Sequence, residues 1–197
     1  YFGTKRTYPD LAHHTIVLGG RYKELLRDVF DRKVLADDFS LYLHAPTRTD
    51  PSVAPPGHEG FYVLAPVPNQ KSGLDWESLH EAYADRILTA LDQSVIPGLK
   101  DNLVTRKAVD PRYFEGRLRS HAGAAFGPEP RLSQSAYFRY HNRSEDVDGL
   151  FFVGAGTHPG AGVPGVLAGA KATDRVIPDV PASRRMPVRA AIRRMAS

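Results

Sequence analysis

A chain of 197 residues, 42% hydrophobic and 24% charged, is long enough to bury a sizeable core and has the composition of an ordinary globular protein. It has no Cys, which excludes disulfides, thiolate metal sites and a Cys nucleophile, and it has no apolar run of about eighteen residues that would span a bilayer as a helix. The formal net charge of +4 sits in the tail, where Arg184, Arg185, Arg189, Arg193 and Arg194 stand against Asp179, so the basic balance gives no reason to expect a nucleic-acid partner.

The chain starts at Tyr1 without an initiator Met and without the charged head and apolar run of a signal peptide, so it reads as beginning mid-protein. His14 to Leu18 predicts a short buried strand ended by Gly19-Gly20. From Arg21 to Arg32 the residues Tyr22, Leu25, Leu26, Val29 and Phe30 form a helical stripe. Phe39 to Ala45 alternates as a strand does, PTRTDPSVAPPG (residues 46 to 57) is turn-rich, and Phe61 to Val67 is a further strand. Asp75 is a candidate N-cap for the longest helix, whose face is Trp76, Leu79, Tyr83, Ile87 and Leu91 and which Ile96-Pro97-Gly98 ends. Asn102 to Val109 reads as a strand, and Asp110-Pro111 as a helix start. Gly149 to Val153 is wholly apolar, as a central strand covered on both faces would be, and Pro164 to Ile177 is helical.

Between those last two elements lies GAGTHPGAGVPG, in which Gly160 to Gly165 spells G-x-G-x-x-G. The match fails on context: Gly160 lies well past the end of the strand, and no second strand follows the helix. A Walker A reading fails too, since Ala170 precedes Lys171 and Ala172 follows it. What remains is a loop that lets backbone approach a ligand, and a helix N-terminus that favours negative charge. A phosphate, a carboxylate or the anionic edge of a reduced flavin would suit it; a tight turn with close packing, Gly165 and Gly169 pressing the helix onto a sheet, is the competing reading.

Other candidates are weaker. His13 and His14 are adjacent, and neighbours on a strand point to opposite faces, so they are not expected to share an ion and no metal is expected. Asp50-Pro51-Ser52 reads as a turn, and Glu81 with Asp85 as a solvated helix face. In the tail, Val188, Ile192 and Met195 interleave with Arg; a basic amphipathic helix on an anionic membrane and a disordered terminus are both compatible with that pattern.

The stretch GLFFVGAGTHPGAGVPGVLAGAKATDRVI resembles the C-terminal flavin motif of the bacterial-type phytoene desaturases, carotenoid-dehydrogenating flavoproteins of the amine-oxidase-like superfamily. LAHHTIVLGGRYKELLRDVF, DFSLYLHAPTRTDPSVAPPG, FYVLAPVPN and AFGPEPRLSQSAYFRYHNRS resemble the same family in the same order, so the likeness covers most of Tyr1 to Ile177. It implies an α/β chain: an α+β portion of a substrate-binding domain with membrane-docking helices over residues 1–125, the C-terminal strand-loop-helix of a Rossmann-like FAD domain over 126–177, and a basic tail over 178–197.

The implied cofactor is FAD, with Gly154, Ala155, Gly156 and Thr157 beside its ribityl and pyrophosphate portion and Gly162, Val163, Pro164 and Gly165 at the isoalloxazine ring. The implied reaction is desaturation of a carotenoid by hydride transfer to flavin and loss of a proton, with a quinone or oxygen as electron acceptor. His158 is a candidate base, or else a loop residue holding a backbone carbonyl; Gln134 and Arg139 are candidates for lining the flavin or the substrate entrance, against a surface ion pair for Arg139. The implied location is cytoplasmic, peripheral on the inner face of the cell membrane. A flavin oxidoreductase acting on another polyene or a retinoid, and a non-catalytic lipid-binding fragment, are the alternatives.

Overall fold

The structure, a computed structural model, describes residues 1 to 129 and 131 to 179. The tail readings therefore lie outside the described residues. The chain forms two compact units, Tyr1–Ala125 and a second beginning at Phe126. The architecture is mixed helix and strand around one open antiparallel sheet.

The first unit holds β1 (Phe2–Thr4), β2 (His14–Val17), α1 (Tyr22–Arg27), β3 (Leu41–His44), β4 (Glu59–Leu64), α2 (Trp76–Asp92), α3 (Leu99–Asn102), β5 (Leu103–Arg106) and α4 (Pro111–Leu118). The sheet order is β2-β3-β4-β1-β5, with every neighbouring pair antiparallel. Alternation sends Leu41, Leu43, Ala45 and Phe61 to one face, where they pack with Leu88, Leu91, Ile96 and Leu99. Asp75 and Asp110 cap α2 and α4, each accepting backbone N–H bonds of the first turn, and Pro111 occupies the first turn of α4.

Three expectations are corrected. The segment from His14 is not buried: β2 is the sheet edge, paired on one side only, and leaves Ile16 62% exposed. The helix after Gly20 is regular only to Arg27; a π-turn over Asp28–Arg32 then rotates the stripe, so that Leu25 and Val29 are buried while Phe30 is 65% exposed. Gly149 to Val153 is not a central strand: it makes a single antiparallel bridge, Arg143 to Phe151, and Val153 is 60% exposed. The described residues of the second unit contain no sheet to receive it.

The second unit has one long helix, α5 (Val163–Val176), and a core that is largely polar. Buried Asn142 donates to the carbonyls of Phe152 and His158, 3.2 Å each, and buried Thr173 donates from α5 to Phe152 O at 3.2 Å. These bonds tie the apolar run, the loop and the helix together where no β-ladder does so.

Candidate functional site

The loop from Gly154 to Gly162 is built by backbone. Thr157 closes a turn, donating from both N–H and hydroxyl to Gly154 O at 3.2 and 2.9 Å. Gly162, the N-cap of α5, has φ of +84°, a conformation that glycine adopts without strain. A Cβ on Gly165 would stand 2.7 Å from Gly160 O, and one on Gly169 would stand 3.3 Å from His158 O. These two glycines therefore press the helix onto its own loop, not onto a sheet as expected.

The opposite side of the loop is open. Nothing lies within 4 Å of a Cβ built on Gly154, Gly156 or Gly160. The N-terminus of α5 has no side-chain cap and no acidic residue in its first turn. Its first ladder bond is Val166 N–H to Gly162 O, which leaves the N–H groups of Val163 and Gly165 among the orphan donors.

Arg139 is not a surface ion pair. It is 9% exposed and donates from Nε and Nη2 to Ala155 O at 3.2 and 2.7 Å, and among the described residues it pairs with no carboxylate. The reason is local: Tyr140 and Thr157 form a parallel bridge, which lays residue 139 beside 156, within reach of the Ala155 carbonyl, and leaves a fixed cation behind the loop. Gln134 does not share this burial; its side chain is exposed, and only its carbonyl meets Arg139, at 3.5 Å. His158 holds a backbone carbonyl, with Nδ1 2.9 Å from Ala136 O, while its N–H donates to Tyr140 O at 2.8 Å.

Asn142 and Thr173, which hold the loop to the helix, carried no sequence signal beyond being polar residues next to apolar runs. Asp50 accepts from Ser52 N and Oγ at 3.0 and 2.6 Å in the expected turn, and Glu81 and Asp85 pair with Arg106 on the exposed face of α2.

In the first unit, the sheet face opposite the core carries a row the sequence reading did not single out. His14 faces His44, which faces Tyr62, whose ring lies 5.1 Å from that of Tyr1. The alternation in FSLYLHA contains this signal, since it places Tyr42 and His44 opposite Leu41 and Leu43. An open groove of about 480 Å³ runs beside the row, lined by Tyr1, Phe2, His44, Pro46, Val53, Phe61 and Tyr62. His13 also turns toward the row. His13, His14 and His44 present ring nitrogens all within 4.8 Å of one another, which corrects the expectation that His13 and His14 diverge. His13 lies just before the regular ladder of β2, tied to it by the bond from Ala45 N–H to His13 O.

No family model matches the chain. Among curated proteins its relatives include desaturases of phytoene and of 4,4'-diapophytoene. The lycopene-forming phytoene desaturase of Pseudescherichia vulneris is 53% identical over 174 residues, 88% of this chain and 35% of the relative. The neurosporene-forming enzyme of Rhodobacter capsulatus is 47% identical over 186 residues, 92% and 36%, and the 4,4'-diapophytoene desaturase of Methylomonas sp is 36% identical over 178 residues, 90% and 35%. The chain is thus a homologue of the bacterial phytoene desaturases along most of its own length, and it spans about a third of the length of those relatives.

Proposed function

We propose that the chain supplies the carboxy-terminal third of a phytoene desaturase: the flavin-facing loop and helix of a Rossmann-like FAD domain, with part of the domain that receives the carotenoid. The observation that carries this reading is the loop from Gly154 to Gly165, where open space over three glycines, uncapped helix N–H groups and the buried Arg139 cation converge. A donor set without carboxylates, backed by positive charge, suits an anionic ligand that approaches backbone closely.

In this reading Gly154, Ala155, Gly156 and Thr157 hold the ribityl and pyrophosphate portion of FAD, and Gly162, Val163, Pro164 and Gly165 hold the edge of its ring. A flavin held there would supply the two-electron oxidising capacity for desaturation of a CH–CH unit, in which one hydrogen leaves as a hydride equivalent and the other as a proton. The protein's own part is positioning and field. Arg139 fixes the carbonyl of Ala155 so that the loop keeps its form, and the first turn of α5 stabilises negative charge. His158 donates from Nδ1–H to Ala136 O, which holds the loop and leaves the Nε2 lone pair free to act as a base.

The apolar groove over Tyr1, Phe61 and Tyr62 supports binding of a polyene segment. Phe152, Val153 and Leu167, 41%, 60% and 62% exposed, are apolar surface that the remaining two-thirds of such an enzyme would cover. Exposed Ile16, Leu18, Tyr22, Phe30 and Val34, interspersed with Lys23, Arg27 and Arg32, support docking on the inner face of an anionic membrane, where the lipid-soluble substrate resides.

The test is a chimera. Joined to the amino-terminal two-thirds of the Pseudescherichia vulneris desaturase, the chain gives a yellow protein that retains FAD through gel filtration and converts phytoene into a coloured polyene. A chimera that is folded by circular dichroism yet colourless, and inactive with added FAD, would overturn the reading.

A further inference from the structure

The imidazoles of His13, His14 and His44 lie far in sequence from the flavin-facing loop, and nothing in the proposed reaction uses them. Their arrangement has three features of a ligand set. First, the sequence brings them together from two strands: His14 and His44 are a direct cross-strand pair, and the bond from Ala45 N–H to His13 O fixes the residue just before β2 beside the end of β3. Second, ring nitrogens converge, with His13 Nε2 only 2.7 Å from His44 Nε2. Two imidazole lone pairs facing each other repel unless a proton or a cation lies between them. Third, the nitrogens turned away are held. His13 Nδ1 is 3.0 Å from Thr49 Oγ1, which itself donates to Pro46 O at 3.3 Å, so Thr49 accepts from Nδ1–H and the His13 Nε2 lone pair faces inward. His14 Nδ1 is 2.8 Å from Tyr42 Oη, which can hold it in the same way.

We propose that His13, His14 and His44 form a binding site for a borderline divalent transition-metal ion, Zn²⁺ in particular, that clamps the edge strand β2 to β3. Three neutral imidazoles with no thiolate and no carboxylate select Zn²⁺, Co²⁺, Ni²⁺ or Cu²⁺ over Mg²⁺ or Ca²⁺. Bonds of about 2.0–2.1 Å in a tetrahedron place ligand nitrogens about 3.3 Å apart. The set reaches that by small ring rotations, since its nitrogens already lie within 4.8 Å of one another. Hydrogen bonding of the second ring nitrogen to Thr49 or Tyr42 is the orientation that metal-bound histidines ordinarily have. His14 is exposed, so the remaining coordination position is open to water.

The experiment uses the whole chain, stripped with EDTA and titrated with ZnCl2 by calorimetry, with MgCl2 as control. One equivalent of Zn²⁺ binds and raises the melting temperature, MgCl2 does neither, and Co²⁺ gives the visible bands of a tetrahedral site. His14→Gln, a change at an exposed position, abolishes saturable binding, as does His44→Gln. Tyr42→Phe weakens binding about ten- to a hundredfold while leaving stoichiometry unchanged. His141→Gln, which alters a histidine paired with Glu145 in the second unit, changes nothing. No saturable Zn²⁺ binding to the folded chain, or binding of equal strength in the His14→Gln protein, overturns the proposal. In the first case the short nitrogen-to-nitrogen contact is a shared proton alone.

Discussion

Glu59 offers the sharpest test of how the first unit is held together. Its carboxylate is fully buried, and three donors converge on it: Arg48 Nη2 at 2.6 Å, Tyr8 N–H at 2.6 Å and Thr47 Oγ1 at 3.1 Å. Arg48 is itself 23% exposed, and its buried Nε has no hydrogen-bond partner among the described residues. Glu59→Gln keeps the shape but removes the charge, turns an amide N–H₂ toward groups that donate, and leaves the guanidinium uncompensated. Breaking a largely buried pair from one side costs about 3–5 kcal/mol. Against a total of about 5–15 kcal/mol for a domain this is a large fraction. For a unit of this size it corresponds to a fall in melting temperature of roughly 10–20 °C. Trp76, the single Trp of the chain and 3% exposed, lies in the same unit, so its fluorescence during urea unfolding reads the right transition. The double change Glu59→Leu with Arg48→Met, which removes both charges, recovers most of the loss. A Glu59→Gln protein within about 1 kcal/mol of the parent refutes the reasoning, because the carboxylate would then have to be hydrated in a way its burial does not permit.

Further outcomes follow from the same geometry. Gly165→Ala forces a Cβ to 2.7 Å from Gly160 O and costs about 1–3 kcal/mol by urea unfolding, whereas Gly156→Ala, which meets nothing within 4 Å, leaves stability unchanged and weakens flavin retention in the chimera. Arg139→Met removes two charged donors from Ala155 O and lowers FAD affinity of the chimera about ten- to a hundredfold, as read by flavin fluorescence. Burial pushes the Asp110 carboxyl upward, but hydrogen bonds and charge from Arg112 outweigh it and hold the carboxyl below the usual carboxylate range. A depressed folded value means the stabilisation is complete above the unfolded value of about 3.9 and is lost as pH falls through the folded one. Asp110→Asn keeps a good N-cap and so flattens the acid limb of the stability profile below about pH 4, which thermal melts across pH 2–6 would show. Phe30→Glu, at a position 65% exposed, reduces co-sedimentation with anionic vesicles without lowering the melting temperature.

Local chemistry was readable from the sequence; pairing was not. Asp75 and Asp110 announce their helices because an N-cap acts within three residues, and the Trp76 to Leu91 stripe announces its buried face because a helix repeats every 3.6 residues. The strand Phe2–Thr4 went unpredicted: it owes its place to Phe61 and Arg106, its partners in β4 and β5, and three residues carry no period of their own. Gly149 to Val153 failed for the opposite reason. Its composition suits a buried strand, but a strand exists only with a partner to bond, and among the described residues this run finds a single bridge, Phe151 to Arg143.

The loop before α5 shows why spacing alone misled. Gly160, Gly162 and Gly165 match a dinucleotide fingerprint letter for letter, yet each glycine has a separate use. Gly160 takes an extended positive φ of 147° with open space above it, Gly162 caps the helix, and Gly165 makes room for the carbonyl of Gly160. In a true fingerprint the helix opens at the strand end. Here the chain first returns past Tyr140, where His158 N–H donates to Tyr140 O, and is held by Asn142. That detour brings the Ala155 carbonyl to Arg139, while the space over Gly154, Gly156 and Gly160 stays open. A residue so placed is invisible to any pattern that runs forward from the glycines, because the cation that holds the loop lies upstream of it. The informative unit is therefore residues 139 to 165 taken together, and the Arg139→Met and Gly156→Ala outcomes separate its two halves, the side that Arg139 holds and the side left open over Gly154, Gly156 and Gly160.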